Sequence, residues 1–273
     1  MKTHADQDVL GKVNIIRIKG ETAHSEEDIV VREHTLSLYL DGRLYTQMLC
    51  TPQHLQELAV GHLYSEGVIR SMREIAAINQ PHACAVEITR HAPDSKAVHT
   101  SDAAAAPART VTTGCGAQKS GAYAQLAERM QQPLPIAEKF SLRDIMEQAR
   151  AFQSQSELFQ STGGVHACAL FEGQEELFFR EDIGRHNAFD KVIGAALLQN
   201  VALPGKWLLT SGRVPSDMII KAVYAALPLI VSRSAPTLEA IEMAQAQQIT
   251  LCGFTRGDRT NIYSVPERFE ERM

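Results

Sequence analysis

Four short apolar runs, spaced by helical stretches, constrain the fold of this chain more than any other feature. They are Val165-His-Ala-Cys-Ala-Leu-Phe171, Lys206-Trp-Leu-Leu-Thr210, Leu229-Ile-Val-Ser232 and Ile249-Thr-Leu-Cys-Gly-Phe254. Each has strand length and is bounded by turn or helix signals. Glu176 to Arg180 forms a hairpin with the first run around Glu172-Gly173, and Asn261 to Ser264 is a last strand. Between Asp182 and Asn200 a helical pattern puts Phe189, Val192, Ile193 and Ala196 on one face. Further helices are expected over 216–226 and from near Pro236 to about Gln247. Strands joined by crossover helices imply a partly parallel sheet covered by helices, an α/β arrangement within a chain that is α+β overall.

The N-terminal part reads differently. Residues 1–27 are polar and read as irregular. Alternation over Glu33-His-Thr-Leu-Ser-Leu-Tyr-Leu40, then Asp41-Gly42, then Arg43 to Cys50 predicts a β-hairpin with a type I′ turn. Thr51-Pro52 reads as an N-cap with Pro at the first helical position. Leu55, Leu58, Ala59, His62 and Leu63 then share a face until Gly67. Ser71 reads as the cap of a short helix, and Cys84 to Thr89 as a strand. Ser141 is the expected cap of a helix running from Leu142 to about Phe152. Residues 92–110 are poor in apolar bulk and rich in Ala, Asp and Pro, the composition of a connector. The division expected is therefore 1–27, a small α+β domain at 28–105 and an α/β domain at 106–273. One large domain is the alternative at 273 residues.

Composition excludes some function classes. A net charge of −5 argues against nucleic-acid binding driven by charge alone. No apolar run approaches the length needed to cross a membrane, and the N-terminus lacks the apolar core of a signal peptide. The five cysteines, at 50, 84, 115, 168 and 252, are odd in number and scattered. That pattern is no disulfide framework and points to the reducing cytoplasm. With no C-x-x-C spacing, no structural metal is expected. Cys50, Cys84, Cys168 and Cys252 lie within or beside apolar strands and read as packing.

Cys115 is the exception. It stands in Val111-Thr-Thr-Gly-Cys-Gly-Ala-Gln118, between two glycines and after the connector. Glycine on both sides allows close approach of another molecule. Two readings are open: a nucleophilic thiol, or a small loop residue with no chemistry. Downstream, polar loops gather where strands of such a sheet end. They are Ser161 to His166, Glu181 to Asn187, Thr210 to Ser216 with Ser232 to Thr237, and Phe254-Thr-Arg-Gly-Asp-Arg259. Each alone reads as a turn or a surface charge. Together their hydroxyls, glycine N–H groups and arginines (Arg213, Arg233, Arg256 and Arg259) suit a phosphate-bearing ligand. His186 opens a helix from a polar loop and is a candidate donor to ligand or thiolate, whereas His166 reads as structural. None of the loops is a Walker A or G-x-G-x-x-G sequence.

Several motifs, in matching order over about residues 30–265, resemble the FdhD family of sulfur-carrier proteins required for formate dehydrogenase activity. They are Thr113-Gly-Cys-Gly, Thr162-Gly-Gly-Val-His-Ala-Cys-Ala, Glu181-Asp-Ile-Gly-Arg-His-Asn-Ala-Phe-Asp-Lys, Thr210-Ser-Gly-Arg and Gly253-Phe-Thr-Arg-Gly-Asp-Arg. The resemblance implies a cytoplasmic sulfurtransferase that forms a homodimer. Its C-terminal domain would be a three-layer αβα unit similar to cytidine deaminases. It would take persulfide sulfur from a cysteine desulfurase onto Cys115 and pass it to the molybdenum or tungsten of a bis-guanine-dinucleotide (molybdopterin) cofactor destined for formate dehydrogenase. By position, Phe254, Thr255, Arg256, Gly257, Asp258 and Arg259 match the segment assigned to that cofactor, with Arg213, Arg233 and His186 as further contacts. Many members carry Cys-Gly-x-Cys in the loop; here the second position is Gln118, which leaves a single-thiol route. The alternative is a non-catalytic chaperone that binds cofactor and dehydrogenase. A deaminase-like hydrolase lacks zinc-ligand motifs.

Overall fold

The computed structural model of the chain describes residues 9–91, 110–111 and 130–270. The Cys115 loop, the connector at 92–109 and all but the last residue of the helix expected over 123–130 lie outside them.

Six strands form the sheet anticipated from the apolar runs. They are β8 (His166–Glu172), β9 (Glu175–Asp182), β10 (Trp207–Thr210), β11 (Leu229–Ser232), β12 (Thr250–Arg256) and β13 (Arg259–Ser264), in the order β13-β12-β11-β10-β8-β9. The central three run parallel, while β8, β9 and β13 pair antiparallel with their neighbours. Side-chain alternation gives this sheet two buried faces. Cys168, Leu170, Leu208, Ile230 and Leu251 pack under α4 (Arg185–Leu198), α5 (Ser216–Tyr224) and α6 (Leu238–Ala246). Ala167, Ala169, Phe171, Trp207, Leu209, Leu229 and Val231 face Ile145, Ala149 and Phe152 of α2 (Leu142–Gln155). Helices on both faces make a three-layer αβα unit. Trp207 stacks on Phe171 at 4.2 Å, and its indole N–H donates to Gly173 O at 2.8 Å. Ser141 caps α2 through the Asp144 N–H, and Ser156 caps a short α3 (Glu157–Thr162) that the sequence reading did not foresee.

A second sheet, ordered β5-β6-β3-β4-β7, carries the predicted hairpin. β3 (His34–Leu40) and β4 (Arg43–Cys50) turn through Asp41 at φ 51° and Gly42 at φ 76°, the left-handed pair a type I′ turn requires. β6 (Ala85–Arg90) adds parallel to β3, and β5 (Ile75–His82), not foreseen, forms the edge. β7 (Thr110–Val111) lies beyond residue 105, yet it pairs parallel with Gln47 and Met48 of β4. Helix α1 (Leu55–Ser65) buries Leu55, Leu58, Ala59 and Leu63 against this sheet and crosses α4 at two glycines. A Cβ on Gly61 would stand 1.8 Å from Asp190 O, and one on Gly194 1.8 Å from Glu57 O. Only hydrogen side chains permit that approach.

Two expectations are corrected. The stretch read as irregular holds a long ribbon, β1 (Leu10–Lys19) and β2 (Thr22–Val31), turning at Gly20 and laced by Lys12–Glu27 and Arg17–Glu26 ion pairs. Its residues are mostly exposed on both faces, so burial left no period-2 signature to read. Thr51 does not cap α1. Its side chain is buried against Asp182 and Lys191, and left-handed His54 occupies the cap position without a side-chain bond. Pro52 accordingly precedes the helix.

Candidate anion-binding site

Because β8 runs antiparallel to β10, the amino end of β8 meets the carboxyl ends of β9, β10 and β11 at one edge of the sheet. The loops that leave this edge are stitched to one another. Ser211 N donates to Ala167 O, and Ser211 Oγ accepts from Ala167 N, both at 3.0 Å; His166 Nδ1 lies 3.3 Å from the same hydroxyl. Arg233 N donates to Thr210 O at 3.0 Å, and Ser232 Oγ donates to Gly212 O at 2.7 Å. Phe254 N donates to Ser234 O at 3.0 Å, and Arg256 Nε to Arg233 O at 2.9 Å. One hydrogen-bonded chain therefore links the loops at 166, 210–212, 232–234 and 254–256.

Two groups of basic side chains stand on this rim. His186, in the first turn of α4, lies 3.0 Å from Asp217 Oδ2. Arg185 packs against Gly212, where a Cβ would come within 2.8 Å of its own Cβ. Burial, then Arg185, His186 and Arg213, push the His166 imidazole below its ordinary range. Burial also lowers the Arg185 guanidinium, with Arg213 adding to the effect and Asp217 opposing it. Burial raises the Asp217 carboxyl, but His186, Lys221 and Arg185 more than offset this and hold it low. In the second group, burial and the neighbouring Arg256 lower Arg233. Burial is the main cause for each of these basic groups, and the neighbouring arginines add to it at His166 and Arg233. Among the described residues, the buried Arg185 Nε has no hydrogen-bond partner.

The expected site residues thus divide. His186 and Arg213 gather with Arg185 and His166, and Arg233 gathers with Arg256. Phe254 projects its ring at 38% exposure from a left-handed backbone, φ 53°. A bulky residue held there is a strained feature of the kind that clusters at binding sites. Thr255 is fully buried, its Oγ1 2.7 Å from Thr260 Oγ1, and so braces the turn. Arg150 of α2 holds Gly257 O and the Asp258 carboxylate. Arg259 is exposed and opposes Arg256 in register. Cys115 falls outside the described residues. Arg185, Ser211 and Asp217 were not singled out from sequence. Arg185 was legible as the residue between Gly184 and His186 at a helix start, whereas Asp217 reads like any first-turn acid. A close glycine and paired arginines together suit a group with several anionic oxygens, such as a pyrophosphate.

The sequence model of the FdhD/NarQ family matches residues 31–270. A protein of Listeria innocua named sulfur carrier protein FdhD is 35% identical over 263 residues, covering 96% of this chain and 99% of its own. The sulfur carrier protein FdhD of Bacillus subtilis is 35% identical over 245 residues, covering 90% and 92%. A crystal structure from Desulfotalea psychrophila, of a protein described as a formate dehydrogenase accessory protein, superposes with a TM-score of 0.75. It is 22% identical and covers 96% of this chain and 99% of its own. That likeness shows the same fold.

Proposed function

The chain belongs to the FdhD/NarQ family, and from that premise we propose that it is a cytoplasmic sulfurtransferase serving formate dehydrogenase. Its Cys115 thiolate attacks the sulfane sulfur of a cysteine desulfurase persulfide. A new S–S bond forms on Cys115, and the desulfurase cysteine leaves as a thiolate. The Cys115 S–S bond then breaks: Cys115 leaves as a thiolate, and the terminal sulfur, taking two electrons from a reduced metal, becomes a sulfide ligand of a bis-guanine-dinucleotide molybdenum or tungsten cofactor, which is substrate here, held by its phosphates. Gln118 in place of a second loop cysteine leaves Cys115 to work alone. The protein acts as a homodimer.

One observation carries the acceptor half of this reading. The rim built around His166 from Arg185, Gly212, Arg213, Arg233 and Arg256 carries four arginines, and hydrogen bonds between its loops hold it in place. Such an edge takes phosphates without reorganising. The donor half rests on Cys115 standing in Thr113-Gly-Cys-Gly and on relatives named as sulfur carriers.

Incubation with a desulfurase and cysteine should add one sulfur to the intact mass, on the Cys115 peptide. Cys115→Ala should abolish that adduct and the sulfuration of the dehydrogenase cofactor. A Cys115→Ala protein that still supports sulfuration would instead make the chain a cofactor-binding chaperone.

A further inference from the structure

Asp182 is fully buried behind the rim, opposite His166 in the β8–β9 register, and it collects an unusual set of partners. Its Oδ1 accepts from Gly184 N and from Asn187 Nδ2, both at 2.9 Å. Its Oδ2 accepts from Thr51 N at 3.0 Å and Thr51 Oγ1 at 3.2 Å, and lies 2.6 Å from Lys191 Nζ. Lys191, also fully buried, donates to Thr51 Oγ1 at 2.7 Å and to Thr51 O at 3.2 Å. Asn187 completes the ring by donating to Leu49 O at 2.8 Å.

These bonds connect two distant pieces of chain. Leu49 lies at the end of β4, and Thr51 directly follows that strand. The other piece, 182–191, is the turn and first half of α4, which presents Arg185 and His186 to the rim. On its free side β4 pairs with β7, and β7 ends at Val111, four positions before Cys115. A buried ion pair with every lone pair engaged is a poor source of net stability compared with an apolar filling of the same space. Its attested use is to fix register. Two apolar side chains would hold β4 against α4 without specifying where along α4 it sits. Asp182, through Gly184 N and Asn187, specifies that point.

We propose that Asp182 and Asn187 are positioning residues. They clamp β4, the neighbour of the β7 strand that precedes Cys115, to the amino end of α4. In doing so they set the alignment of sulfur delivery with the anion-binding rim. The proposal rests on the sulfur-transfer reading for its consequence, but the clamp itself is a property of the described residues.

Asn187→Ala removes the bond to Leu49 O while leaving the Asp182–Lys191 pair and the Thr51 bonds. Asp182→Asn keeps an acceptor for Gly184 N and removes the charge opposite Lys191, so it tests the same bond network if it folds. In Asn187→Ala, amide exchange at Thr110 and Val111 should quicken about tenfold or more. Sulfur loading of Cys115 and guanosine diphosphate affinity should stay within twofold of wild type. Transfer from loaded Cys115 to the acceptor should fall about tenfold. A residue of purely structural importance would lower all three activities together with the folded fraction. Unchanged exchange at Thr110 and Val111 would overturn the clamp, and quickened exchange with unchanged transfer would overturn its positioning role. Failure of the wild-type protein to load sulfur would refute the sulfur-transfer reading alone, and the exchange experiment would then still decide the clamp.

Discussion

At the scale of single residues, the rim makes a specific demand. Arg256 is exposed and spends one donor, Nε, on Arg233 O, and Arg259 stands opposite it across the Gly257 turn. A charge-assisted bond to a phosphate contributes roughly 1.5–3 kcal/mol. The Arg256→Ala, Arg259→Ala double variant should therefore bind guanosine diphosphate at least about tenfold more weakly by calorimetry, with its thermal midpoint little changed. Unaltered affinity would move the nucleotide elsewhere on the chain. The segment 254–259 was legible because its residue types are those of an anion-binding turn. The division of labour inside it was not, since the Arg150–Asp258 pair and the inward Thr255 depend on tertiary neighbours 108 and 5 residues away. The cysteines show the same limit. Cys50, Cys168 and Cys252 are buried as their apolar strands imply, and burial pushes each thiol up to about 12. Cys84 sits at a strand boundary and is only half-buried, 3.6 Å from His34 Nδ1.

At the scale of elements, the crossing of α1 on α4 is the least forgiving contact. Gly61 and Gly194 each face the other helix's backbone, not a side chain that could swing away. Gly194→Ala should therefore force the helices apart. The cost should reach or exceed the upper end of about 1–3 kcal/mol typical of overpacking, a fall in thermal midpoint of several degrees. A midpoint within one degree of wild type would mean that the helices slide freely. Neither glycine announced itself in the sequence, because a glycine inside a helical pattern reads only as a propensity cost. Elements whose pattern is set by burial were legible, including the Asp41-Gly42 hairpin, the strands of the larger sheet and α2 with its Ser141 cap. Those exposed nearly throughout were not. The β1–β2 ribbon leaves Ile16 and Ile18 more than 70% exposed, and edge strand β5 is exposed along most of its length. A period-2 reading has nothing to detect there.

At the scale of the whole molecule, carboxylates join the smaller sheet's helix to the larger sheet's layer, and they set its acid response. Glu57 of α1 is held in a two-pronged pair by Arg180 of β9. Burial raises its carboxyl, but Arg180 and then His54 more than offset that and bring it down to about 2. Asp190 of α4 takes Lys221 of α5 at 2.6 Å and Ser65 of α1 at 2.8 Å, with His62 of α1 3.4 Å away. Burial again raises it, and Lys221 with His62 holds it well below the usual carboxylate range. Both groups bind a proton more readily in the unfolded chain than in the folded one. Their stabilisation is therefore complete above the unfolded values, 4.5 and 3.8, and is lost as pH falls toward the folded ones. Glu181 runs the other way: burial raises its carboxyl, so acid favours its folded form. It lies on β9 and bonds Ser156 within the larger layer, not across to α1. Acid should consequently act first on the junction. Between pH 5 and 2 the denaturation midpoint should fall, and amides of α1 should lose exchange protection before those of β10 and β11. Glu57→Gln should be less stable than wild type at pH 6 and should flatten the acid slope. Simultaneous loss of protection in α1 and the central strands would show that the junction and the αβα layer unfold as one unit, and that these carboxylates set no boundary between them.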